Sequence, residues 1–230
     1  MPTAVTSRLA VEVRSALTAV ADPAKAGPMQ AYMKSAMPYL GVQATQRRAA
    51  IRPVAARWQP DSFEAWGQGV WAVFDGAEHR EERYAALDLA LLRRFAGHRD
   101  ARAMPLLRRL AVAGAWWDLV DGASPIARDA LAADLAAVAP LLRDWARDGD
   151  LWVRRVAVIS QLQRKADTDR TLLADVLEPN LARPEFFLRK AVGWALRDFA
   201  RTDADWVRTY VAAHPGLSPL SRREALKHLG

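Results

Sequence analysis

One triplet, Arg-x-Ala, recurs at a nearly fixed interval along the chain, and that interval restricts the fold more than any other feature. It appears as Arg47-Arg48-Ala49, Arg83-Tyr84-Ala85, Arg155-Val156-Ala157, Arg189-Lys190-Ala191 and Arg223-Glu224-Ala225. Successive alanines lie 36, 72, 34 and 34 residues apart, so the second interval holds two periods. Each triplet sits just inside the start of a stretch with helical hydrophobic spacing. Around the third, Val153, Val156, Ala157, Ile159 and Leu162 are interspersed with Arg154, Arg155 and Arg164 in that pattern. A unit of this length holds two helices and buries its apolar face only against its neighbours, which predicts an α-solenoid. The small alanine marks where paired helices pack closely.

No stretch alternates apolar and polar residues as a half-buried strand would. Asp61-Ser62-Phe63-Glu64 and Ser221-Arg222-Arg223-Glu224 read as capped helix starts, and Gly41, Gly76, Gly97 and Gly149 as helix ends. The expectation is an all-α array of antiparallel helix pairs, about a dozen helices with short connections. Residues 1–230 are expected to form a single repeat domain.

Composition narrows the function. Lys and Arg number 33 against 26 Asp and Glu, a formal charge of +7 that suits a polyanionic partner. Cysteine is absent, which removes disulfides, thiolate nucleophiles and cysteine-ligated metals. His79, His98, His214 and His228 are scattered and form no H-x-x-x-H pair, so neither a metal site nor a cofactor is expected. No apolar run reaches the roughly 18 residues of a membrane span. Arg8, Glu12 and Arg14 interrupt the apolar stretch that a signal peptide needs. A cytoplasmic monomer is expected.

The ladder has one gap. Counting 36 residues forward from Ala85, or back from Ala157, arrives at Asp121. There the sequence reads Ala115-Trp116-Trp117-Asp118-Leu119-Val120-Asp121-Gly122-Ala123-Ser124-Pro125. Places where a local rule breaks are often functional. Pro125 lacks the N–H that would bond the Asp121 carbonyl, so the helix bends or stops there. A carboxylate in the place of a packed alanine needs a cationic ligand or a structural arginine.

Trp117 lies four residues before Asp121, on the same helix face. Trp194 lies three past its own ladder alanine. In repeat register the three positions span roughly 60° of a helix at about 100° per residue. Stacked repeats bring them to one surface, an aromatic-walled site with a carboxylate that suits a cationic, ring-shaped ligand. The ladder arginines Arg47, Arg83, Arg155, Arg189 and Arg223 stand on another side. Such a row either follows a phosphate backbone or forms solvated and repeat-to-repeat salt bridges.

Three segments carry a family resemblance. The run Ala115–Asp121 resembles the W-W-D-x-V-D motif of the AlkD-like DNA alkylation repair proteins. Trp152-Val153-Arg154-Arg155-Val156-Ala157 resembles their W-x-x-R-x-A helix. Residues 185–197, Glu-Phe-Phe-Leu-Arg-Lys-Ala-Val-Gly-Trp-Ala-Leu-Arg, resemble their E-F-F-x-x-K-A-I-G-W-x-L-R segment. Pro28–Lys34, Tyr39–Gln43 and Ser218–Ala225 are similar as well, in order, from about residue 20 to the end. The resemblance implies a HEAT-like solenoid with a concave basic face. It implies a glycosylase that excises N3- and N7-alkylated purines from double-stranded DNA in base excision repair, located on the nucleoid while bound. It further implies that Trp117, Asp121 and Trp194 line the catalytic cleft and that Arg155 holds the DNA backbone. Tyr32 and Gln43 match positions that approach the cleft or the DNA.

Overall fold

The computed structural model describes residues 4–229, so both ends of the 1–230 range lie outside the described residues. Within them are fourteen α-helices, short 3-10 turns and no strand. The chain divides between His98 and Arg99 into two compact units.

The first unit contains α1 (Ala4–Thr18), α2 (Pro23–Met33), α3 (Ala44–Arg57), α4 (Phe63–Asp75) and α5 (Arg80–Ala90). Its core is built by Val13 and Leu17 of α1, Trp66, Val70 and Phe74 of α4, and Leu89 of α5. Ser62 starts α4 by accepting the Ala65 N–H at 3.1 Å, and Gly76 closes it, both as the sequence suggests. Gly41 has another role. Lys34 ends α2 in the left-handed region, while Gly41 turns the connection to α3 at φ 80°. A Cβ on Gly41 would fall 2.0 Å from the Asp22 carbonyl oxygen. The fully buried Glu81 carboxylate fastens this connection, accepting the N–H groups of Leu40, Gly41 and Val42 at 2.9–3.0 Å.

The second unit contains α6 (Met104–Gly114), α7 (Trp117–Ala123), α8 (Pro125–Ala133), α9 (Leu135–Trp145) and α10 (Leu151–Ile159). It continues with α11 (Arg170–Leu177), α12 (Phe186–Ala200), α13 (Ala204–Ala213) and α14 (Pro219–Leu226). Ile159, Leu173, Leu177, Leu196, Phe199, Val207 and Val211 form one continuous core across α10 to α13.

The ladder helices are neighbours within each unit: α3 packs on α5, α10 on α7 and α12, and α12 on α14. Ala85, Ala157, Ala191 and Ala225 are fully buried at these helix pairings. Ala49 is exposed, because α3 turns Arg47, Ile51, Val54 and Ala55 inward and position 49 lies off that face. The closest approach joins α12 and α14. A Cβ on Gly193 would sit 2.5 Å from the Glu224 Cβ and 2.9 Å from the Ser221 carbonyl oxygen. Ser221 lies inside α14 and does not cap it. The Ser218 hydroxyl accepts the Ser221 N–H at 3.0 Å, and Pro219 occupies the first turn.

Candidate active site

The break in the ladder produces a short helix with both ends marked in the sequence. Ala115, left-handed at φ 42°, ends α6, and Trp116 is extended, so α7 starts afresh at Trp117. At the other end Pro125 opens α8. The Asp121 carbonyl instead accepts the Ser124 hydroxyl at 2.9 Å. Seven residues thus carry Trp117 and Asp121 one turn apart on one short helix.

Asp121 faces Arg155 from α10. Arg155 Nε donates to Oδ1 at 2.6 Å and Nη2 to Oδ2 at 2.7 Å, a two-pronged interaction that fixes the carboxylate in plane and position. Arg155 Nη1 donates to the Phe187 carbonyl at the start of α12. Its guanidinium carbon lies 5.3 Å from the centre of the Trp194 ring. The Arg155 side chain is 1% exposed and that of Asp121 is 25% exposed. The arginine therefore forms the floor and the carboxylate the open edge.

A second cation flanks Trp194. Lys190, one turn earlier on α12, places Nζ 5.3 Å from the same ring centre. Glu224 of α14 ties this face together, accepting Lys190 Nζ and Arg197 Nη1 at 2.7 Å each. The bond from Lys190, with the nearby charges of Lys190, Arg197 and Lys227, outweighs the effect of burial and holds the Glu224 carboxyl below its ordinary range. Beneath the site, Trp116, Trp152 and Phe187 form a three-ring cluster with centres 5.2–6.0 Å apart. It positions the Phe187 carbonyl that receives Arg155.

Of the three cleft residues expected from sequence, Asp121 and Trp194 are joined through Arg155, and Trp117 stands half-buried one turn before Asp121. Lys190, Glu224 and the aromatic floor were not anticipated. The spacing of Lys190 and Trp194, four apart on one helix, was the available signal. The arginine row needs correction. Arg155 has no surface to offer a phosphate. Arg47 is buried as well, donating from Nε to Asp88 at 2.7 Å and lying over the Tyr84 ring. The physical reason is the same for both. Ladder helices pack side by side, so an inward arginine meets the neighbouring helix, and these two form repeat-to-repeat ion pairs. Arg83 is half-buried over the Phe74 ring, and burial lowers its pKa. Arg189 is half-buried and Arg223 exposed. In the first unit, Tyr32 is 79% exposed, and Gln43 is exposed at the start of α3 with no capping bond from its side chain.

Fold and site together define a class: an all-α repeat protein in which one repeat replaces its packing alanine with a carboxylate held by an arginine beside a tryptophan. The sequence profile of the DNA alkylation repair enzymes matches residues 13–229, and the chain belongs to that family. It is 29% identical to a solved structure described as a predicted DNA alkylation repair enzyme from Enterococcus faecalis. That match covers 91% of this chain and 97% of the other, with a TM-score of 0.74. It also resembles the alkylpurine DNA glycosylase AlkC of Pseudomonas fluorescens, solved bound to DNA containing an abasic site analogue. There the identity is 18% and the TM-score 0.59, over 97% of this chain and 62% of AlkC. At that identity the likeness concerns the fold. No curated protein sequence gives a significant match.

Proposed function

We infer that the protein is a monofunctional DNA glycosylase that hydrolyses the N-glycosidic bond of N3- or N7-alkylated purines in double-stranded DNA. The whole chain acts as one functional domain and as a monomer. The observation that carries this reading is the Asp121 carboxylate, pinned at both oxygens by a buried arginine yet partly exposed, with Trp117 one turn earlier on its helix and Trp194 over the same arginine.

The chemistry follows from charge. An alkylated purine is a cation and already a good leaving group. The electron pair of the C1′–N bond leaves with the base and neutralises it. Positive charge then develops on the sugar as an oxocarbenium ion, and water supplies the oxygen to C1′ and releases one proton to solvent. On this reading Asp121 stabilises that cation and accepts a hydrogen bond from the water. Arg155 contributes preorganisation, since a carboxylate locked in plane does not have to reorient as charge develops. The aromatic faces of Trp117 and Trp194 add attraction for the charged sugar or base. Exposed Tyr32 and Gln43 are proposed to meet the DNA.

A second reading draws on the same pair. Asp121 bound at both oxygens is also how a structural ion pair is built. On that reading the protein binds duplex DNA, or another protein, without excising anything. Bases released from methylated duplex and from a uracil-containing duplex, with strand integrity followed alongside, decide between them. The expected outcome is release of 7-methylguanine or 3-methyladenine, no uracil, and intact strands. Release of uracil or strand scission would contradict the mechanism, and no release of any base would favour the binding module.

A further inference from the structure

Arg189 holds the same repeat register as Arg155, one ladder helix later, but its circumstances differ. Arg155 reaches back to α7 and finds Asp121. The residue 36 positions after Asp121, which stands toward Arg189 as Asp121 stands toward Arg155, is Ala157, buried on α10. The acid that completes one arginine is missing for the next. The closest acid on its own segment, Glu185, is engaged by Arg183 through both carboxylate oxygens. Glu224 of α14 is engaged by Lys190 and Arg197. Among the described residues, no carboxylate lies within ion-pair distance of Arg189. Its Nε is enclosed and has no acceptor, while the residue as a whole is only half-buried. Arg223, the next in the row, is simply solvated on α14.

A guanidinium that has no carboxylate partner and is only half-buried keeps charge available to an anion from outside the protein. The forked geometry of arginine suits a phosphate oxygen pair. Trp194 lies five residues later on the same helix, so the two side chains leave α12 about 140° apart and the anion would meet a different side of it.

We propose that Arg189 is a ladder arginine that binds DNA, through a backbone phosphodiester. This rests on the reading of the protein as a duplex-DNA enzyme, but not on turnover. The test is the salt dependence of binding to an undamaged and a methylated duplex of equal length, by wild type and by Arg189→Gln. Removing one phosphate-binding charge should lower the slope of log affinity against log salt by about 0.9. Arg189→Gln should show that decrease on both duplexes while keeping the thermal stability of wild type. Arg189→Lys, which keeps the charge, should keep the slope. Should Arg189→Gln fail to fold, Arg189→Met has no unmet donors and gives the same measurement. An unchanged slope in the charge-removing variant, with a salt-dependent wild type, would overturn the assignment. A wild type whose duplex affinity ignores salt would overturn both it and the DNA reading. A salt-dependent wild type that excises nothing would overturn glycosylase activity alone.

Discussion

At the level of single residues, Arg155 holds the candidate site together. Its guanidinium donates to both Asp121 oxygens and to the Phe187 carbonyl, and it lies over the Trp194 ring. Arg155→Ala removes one partner of a buried ion pair and leaves Asp121 uncompensated. The expected cost is about 3–5 kcal/mol in denaturant unfolding. The salt slope of duplex binding should not change, because the buried Arg155 offers no surface to a phosphate. A reduced slope would return Arg155 to the DNA interface. The sequence made Asp121, Trp117 and Trp194 legible as candidates because an acid in a row of alanines violates a repeat that the rest of the chain obeys. It did not make Arg155's partner legible. An Arg-x-Ala triplet looks the same whether its guanidinium faces solvent or crosses to a neighbour, and the matching acid is 34 residues away.

For the helices, the packing of the ladder decides which alanines matter. Ala157→Leu and Ala191→Leu insert bulk where the helices touch, and each should reduce stability by roughly 1–3 kcal/mol. Ala49→Leu, on an exposed position, should stay within about 0.5 kcal/mol of wild type. Equal effects at all three positions would contradict the burial pattern. The sequence placed Ala49 with the others because its spacing fits. Only the face chosen by Ile51, Val54 and Ala55 sets it apart. The α12–α14 pairing adds a pH signature. The Glu224 carboxyl is held below its ordinary value of 4.5, chiefly by the bond from Lys190. Its stabilising contribution is therefore complete above that value and disappears as pH falls through the lower, folded-state value. Glu224→Gln should melt below wild type at neutral pH, and the two should converge in acid below the usual carboxylate range. A gap that persists there would mean the ion pairs are not its source.

For the molecule as a whole, the period near 35 residues is sufficient to specify a helical-repeat architecture, since each pair can bury its apolar face only on the next. Division into two compact units was not legible, because the boundary falls among short turns that look like any other helix connection and carry no linker composition to mark it. With a net charge of +7, the proposed association with DNA is expected to be electrostatic in origin. Duplex affinity should fall linearly on a log–log plot as salt rises, which filter binding or anisotropy would report. The central claim is chemical and concerns Asp121. Single-turnover release of 7-methylguanine from methylated duplex, by wild type and by Asp121→Asn, tests it most directly when duplex binding is measured on the same samples. The asparagine keeps the shape and an acceptor for Arg155 but loses the charge. The rate should fall by roughly 10²–10³ with duplex affinity nearly retained, the scale of deleting one electrostatic stabiliser. A variant that releases the base at the wild-type rate would contradict the account.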